Sequence, residues 1–136
     1  KGIVKDITVD LGGLALEKPI DFMTVHRDLY PFLKNDANYA AMQQVEANLQ
    51  EKPLCYIPKG QIKAIRHKIK NGDIIAMVTS IKGLDVTHTG LAYKKADELY
   101  LLHASSSGEV TISKKPLTQY LNGIRHNIGI MVARPQ

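Results

Sequence analysis

The chain has 136 residues, 44% of them hydrophobic and 23% charged, with a formal net charge of +5. That length suits one domain able to bury most of the surface of its unfolded chain, and no apolar run reaches the roughly eighteen residues that a membrane-spanning helix requires. Two Phe, six scattered Tyr and no Trp offer no stacking platform for single-stranded nucleic acid, and the positive charges (Lys59, Lys63, Arg66, Lys68, Lys70, then Lys94, Lys95, Lys114, Lys115) are spread as solvated faces and helix ends would be.

In chain order, "KGIVKDITVDLGGLAL" alternates through Ile3, Ile7, Val9 and Leu11 and breaks at Gly12 and Gly13, the pattern of an edge strand and turn. A helix is expected from Asp21 as N-cap to about Tyr30, where Pro31 stops or kinks it. A second helix starts after Asn35 or Asp36, with Tyr39, Met42, Val45 and Leu49 on one apolar face, and ends before Pro53. "PLCYIPKGQ" reads as a connection because of its two prolines. The basic segment "QIKAIRHKIKNG" reads as a short helix capped by Asn71 and Gly72. "DIIAMVTS", "THTGLAYKK", "ELYLLHAS" and "EVTIS" then follow as an antiparallel meander, and "LTQYLNG" is a short helix before a last strand, "IGIMVARP".

The expected architecture is α+β: a single domain over 1–136, helical to about residue 70, followed over 71–136 by a five-stranded antiparallel sheet. The single cysteine, Cys55, rules out an internal disulfide. The opening residues lack an apolar leader and read like the middle of a longer protein, so the chain is expected to be a C-terminal portion.

Two histidines stand out. His88 opens one strand and His103 closes the next, so a hairpin between them sets both imidazoles at one end of the sheet, with Gly90 leaving room for a close approach. One ring of such a pair can serve as a general base near neutrality while the second orients it; the alternative is two unrelated strand-end histidines. No short-spaced ligand pair argues for a metal, and no cofactor is implied.

The stretch "NGDIIAMVTSIKGLDVTHTGLAYKKADELYLLHASSSGEVTISKKPLTQYLNGIRHNIGIMVARP" resembles the catalytic sheet of the DUF1460 family, the N-acetylmuramoyl-L-alanine amidase-like branch of the NlpC/P60 cysteine peptidases. "DFMTVHRDLY" and "VEANLQEKPLCYIPKGQI" resemble its helical insert and linker, and Gly72-Asp73, His88-Thr89-Gly90 and His103-Ala104 match the wider superfamily's pattern. The resemblance implies a papain-like arrangement of cysteine nucleophile, His88 as base and His103 as its orienter. It also implies peptidoglycan fragments as partners and a periplasmic or secreted location. The family's Asp-Cys motif at a helix start has no counterpart here; Cys55, between two prolines, is a doubtful nucleophile and reads first as an inert linker thiol. Asp85, Ser105 and His26 are candidates for lining the substrate cleft, His26 from the helical side, against the plainer reading of Asp85 and Ser105 as turn residues. The alternative function is a noncatalytic module that binds muropeptide or another peptide, and a basic nucleic-acid binder is a weaker third reading.

Overall fold

The computed structural model describes residues 2–136. Its strands are β1 (Val4–Asp6), β2 (Leu14–Ala15), β3 (Cys55–Pro58), β4 (Ile74–Thr79), β5 (Val86–Lys95), β6 (Glu98–Ala104), β7 (Val110–Ile112) and β8 (Asn127–Pro135). The helices are α1 (Phe22–Val25), α2 (Asp36–Gln50), α3 (Lys59–Ile65) and α4 (Leu117–Asn122). All eight strands join one antiparallel sheet in the order β2-β3-β8-β4-β5-β6-β7, with β1 also paired to β8.

The α+β class holds, but the sheet has eight strands and not five, because β1, β2 and β3 come from the first 70 residues. β3 is the segment expected to be a plain connection. Pro53 lies outside it and Pro58 occupies its last position, so neither proline interrupts the short ladder in which Ile57 faces Ile130. Four residues are too few for alternation to show in the sequence.

The register places one row of side chains across four strands. Ile57 lies opposite Ile130, Ile130 opposite Met77, and Met77 opposite His88. The first three are fully buried; each aliphatic side chain so buried contributes about 1.5–3 kcal/mol. α3 through Ile62 and α4 through Leu117 and Leu121 join these residues in the core cluster, with Ile75, Leu99, Leu101 and Val132. His88 therefore ends a hydrophobic row that runs across four paired strands.

The helical segment departs from expectation. Asp21 occupies the α1 N-cap without a side-chain capping bond, and α1 lasts one turn before 3-10 turns at Arg27–Leu29 and Pro31–Lys34. Asn35 does cap α2, accepting from the Ala37 and Asn38 amides. The apolar face expected on α2 is not a core face: Val45 and Leu49 are exposed, as are Val25 and Leu29. A carboxylate joins these helices instead. Buried Glu46 accepts hydrogen bonds from the Met23 and Thr24 amides, at 3.0 and 3.3 Å, and from the Thr24 hydroxyl, satisfying amides at the start of α1.

At the other end of the sheet, Gly72 adopts φ +82° and Asp73 is buried. Burial pushes the Asp73 carboxyl up, but a two-pronged pairing with Arg134 (2.7 and 2.8 Å) and the Lys70 amide outweighs it and leaves the carboxyl below its ordinary range. Asp73 is thus a structural anchor for β4 and β8.

Gly129 is where β3 approaches β8 most closely, since a Cβ there would fall 2.0 Å from the Ile57 carbonyl oxygen. Gly129→Ala is expected to destabilise by about 3 kcal/mol in urea unfolding. Gly60→Ala, whose Cβ meets nothing within 4 Å, is expected to be neutral or stabilising by up to about 1 kcal/mol. Equal stability of the two variants would contradict this packing.

Candidate functional site

β4 and β5 pair Met77 with His88 but Val78 with Val86, so Thr87 is an extra residue and β5 bulges immediately before the histidine. The bulge resets the alternation of faces and turns His88 onto the core face beside Met77. β5 and β6 pair Leu91 with Leu102; carried one residue further, that register sets His103 across from Gly90 and on the same face as His88. Gly90 is needed there, because a Cβ would lie 2.8 Å from both the Leu101 side chain and the Leu102 carbonyl oxygen.

The imidazoles meet. His88 Nε2 lies 2.8 Å from His103 Nδ1, with the rings nearly perpendicular at 84°. His103 also packs edge-on against Tyr120 of α4, with ring centroids 5.5 Å apart. Burial, reinforced by the adjacent His88 ring, holds His103 below the ordinary imidazole value of 6.5. A neutral His103 can accept at Nδ1 from a His88 Nε2–H, and that tautomer leaves His88 Nδ1 as an unprotonated, basic nitrogen. A proton taken up at His88 Nδ1 keeps the contact intact, whereas protonating both rings would set two N–H groups against each other.

The pair opens into a cleft of about 830 Å³, a volume suited to a small ligand. Ser105 lines it, with Ser106 and Ser107 of the same turn. Tyr120, Glu109, Lys114 and Lys115 also line it, and the sequence reading did not anticipate them as site residues. Tyr120 could have been found from the helical spacing of "LTQYLN", which sets Leu117 and Leu121 into the core beside it.

The other candidates lie apart. Asp85 precedes β5 and faces the helical segment. Burial and the neighbouring Asp21 and Glu46 carboxylates raise its pKa against the opposing charge of Lys18. Lys18 donates to the carbonyls of Thr79 (2.7 Å), Ile81 (3.1 Å) and Leu84, clamping the loop that leads to His88. His26 is exposed, packs on Phe22, and borders Gly83 of that loop. Cys55 pairs with Ala15 in β3, and β3, β8, β4 and β5 stand in that order, so three strand spacings, about 14 Å, separate its strand from that of His88. The structure does not bring Cys55 to the imidazoles. Among the described residues no three His, Cys, Asp or Glu side chains are grouped to hold a metal ion, and no helix is long and apolar enough to cross a membrane.

A cleft entered by two hydrogen-bonded imidazoles is equipment suited to a hydrolase, and comparison with known proteins agrees at that level. The chain belongs to the AmiA-like family, described as N-acetylmuramoyl-L-alanine amidase-like, which matches residues 1–130. An N-acetylmuramoyl-L-alanine amidase structure from Bacteroides uniformis is 37% identical with a TM-score of 0.87, covering 99% of this chain and 58% of its own. A Bacteroides fragilis structure with a provisional xylanase name is 38% identical with a TM-score of 0.84, covering 96% and 58%. A Legionella pneumophila structure of the DUF1460 family is 22% identical with a TM-score of 0.61, covering 98% and 56%, and shares the fold. The chain thus spans under three-fifths of the length of these relatives. No curated protein matches. Glycoside hydrolysis ordinarily employs two carboxyl groups flanking the bond, and Glu109 is the single carboxylate among the described residues lining this cleft.

His103 gives the site a pH signature. The unfolded chain takes up this proton near the ordinary imidazole value while folded His103 resists it, so stability is fully present above that value and falls as pH drops towards the lower folded one. His103→Gln is expected to flatten the rise in Tm between about pH 5 and 7. Parallel curves for the two proteins would contradict the burial of a neutral ring.

Proposed function

We propose that this chain is the histidine-bearing part of a cell-wall amidase of the NlpC/P60 class, hydrolysing the amide between N-acetylmuramic acid and L-alanine. The observation that supports it most is the 2.8 Å His88–His103 contact at the mouth of a ligand-sized cleft, in a chain of an amidase-like family. The thiol comes from outside these 136 residues, since the relatives are longer and Cys55 lies three strands from His88.

In this reading His88 Nδ1 takes the thiol proton, and the thiolate attacks the muramoyl carbonyl carbon. The C–N bond breaks as His88 returns the proton to the departing amine of L-alanine. Water, deprotonated by His88, then attacks the thioester, releasing the muramoyl carboxylic acid and restoring the thiol. His103 holds the His88 ring in the tautomer with Nδ1 free, as an orienting group does in a triad. Ser105 would contact substrate beside the imidazoles, and Asp85 and His26 would meet it from the side of the helical segment. The substrate places the protein in the periplasm or outside the cell.

A second reading, a noncatalytic module that binds muropeptide or another peptide, is favoured by the distance of the only thiol from the imidazoles. The two readings part on turnover. The full-length protein is expected to release L-alanine-headed peptide from muropeptides, with kcat reduced by about a hundredfold or more in His88→Ala and unchanged in Cys55→Ser. Undiminished turnover in His88→Ala would end the amidase reading. Fast alkylation of Cys55 by iodoacetamide near pH 6, abolished in His88→Ala, would restore Cys55 as nucleophile.

A further inference from the structure

The cleft that holds the imidazoles is also lined by Ser113, which is 6% exposed. Its hydroxyl accepts from the Leu101 amide at 3.1 Å and donates to the Lys115 carbonyl at 2.8 Å, while its own amide donates to the Leu101 carbonyl. The main chain of Lys115 is thereby pinned to β6 two residues before His103, while both lysine side chains remain exposed at the rim.

Neither lysine has an ion-pair partner among the described residues, whose salt bridges are Lys5–Asp10, Arg27–Asp36 and Arg134–Asp73. Two ammonium groups against the one carboxylate of Glu109 leave the cleft with a positive excess. Hydroxyls of Ser105 and Ser107, bonded to each other at 2.8 Å, stand in the same lining as additional donors. A concave site with an unmatched charge of one sign raises the local concentration of ligands of the other sign and fixes their orientation.

We infer that Lys114 and Lys115 are specificity-determining residues, reading a carboxylate on the ligand whose amide is presented to His88. The inference rests on the amidase reading of the cleft and adds a requirement to it: an acyl-peptide that carries a free carboxylate. An ammonium is a compact point charge, so it suits a carboxylate approaching from several directions and does not impose a planar fork.

The test compares N-acetylmuramoyl-L-alanyl-glutamate with its diamide, which has the same size and the same scissile bond but no carboxylate. Binding to the protein is followed through the ring signals of His88 and His103 at about pH 8, where imidazoles are neutral and cannot supply the positive charge. The acid is expected to bind about five- to tenfold more tightly than the diamide at low salt, and the preference should shrink as salt is added. Lys114→Gln/Lys115→Gln should bind both forms equally, and the corresponding double arginine variant should retain the preference.

Equal binding of the two forms, no binding of either, or a preference that survives the double glutamine substitution would overturn the inference. Hydrolysis is read separately in the full-length protein. Turnover of both forms without discrimination removes the lysine role and leaves the amidase reading standing. Lysine-dependent preference without turnover does the reverse.

Discussion

The 2.8 Å contact between His88 Nε2 and His103 Nδ1 is the constraint from which the rest of the site follows. Two imidazoles at that separation share one hydrogen, so one ring must accept, and His103, whose pKa is held by burial below the ordinary imidazole value, is suited to that role. Its acceptance fixes the tautomer of His88 with Nδ1 free of hydrogen. The surrounding structure serves this arrangement. The bulge at Thr87 turns His88 inward, Gly90 makes room beside Leu101, and Tyr120 supports the far side of His103.

The sheet transmits that constraint across the domain. Ile57, Ile130 and Met77 form a fully buried row ending at His88, so that histidine is mounted on a well-packed part of the molecule. The loop before β5 is held differently, by a single lysine. Lys18 binds three carbonyls there, tying the segment that precedes α1 to the approach to His88. Asp85 lies beside this clamp, and the helical segment is itself joined through the Glu46 carboxylate more than through apolar contact.

Much of this was legible in the sequence, for identifiable reasons. The meander from β4 to β7 alternates strongly and is broken by short polar turns, so the two histidines could be assigned to one end of neighbouring strands without coordinates. Their contact could not, because it depends on a one-residue bulge that leaves no mark in the alternation. β3 was missed because four residues between prolines carry no periodicity, and with it went the sheet's true width. The α2 face was misread because Val45 and Leu49 have helical spacing, although in this chain that face is exposed and Glu46 is the buried residue. Lys114 and Lys115 read as ordinary surface charges, since only the fold sets them in the same cleft as the imidazoles.

The most direct measurement is a titration of the two rings by nitrogen-detected NMR, following all four imidazole nitrogens from pH 9 to pH 5. The account predicts that His103 Nδ1 keeps the signature of an unprotonated acceptor to well below the ordinary value of about 6.5. Titration of His103 near that ordinary value, unaffected by replacement of His88, would contradict it.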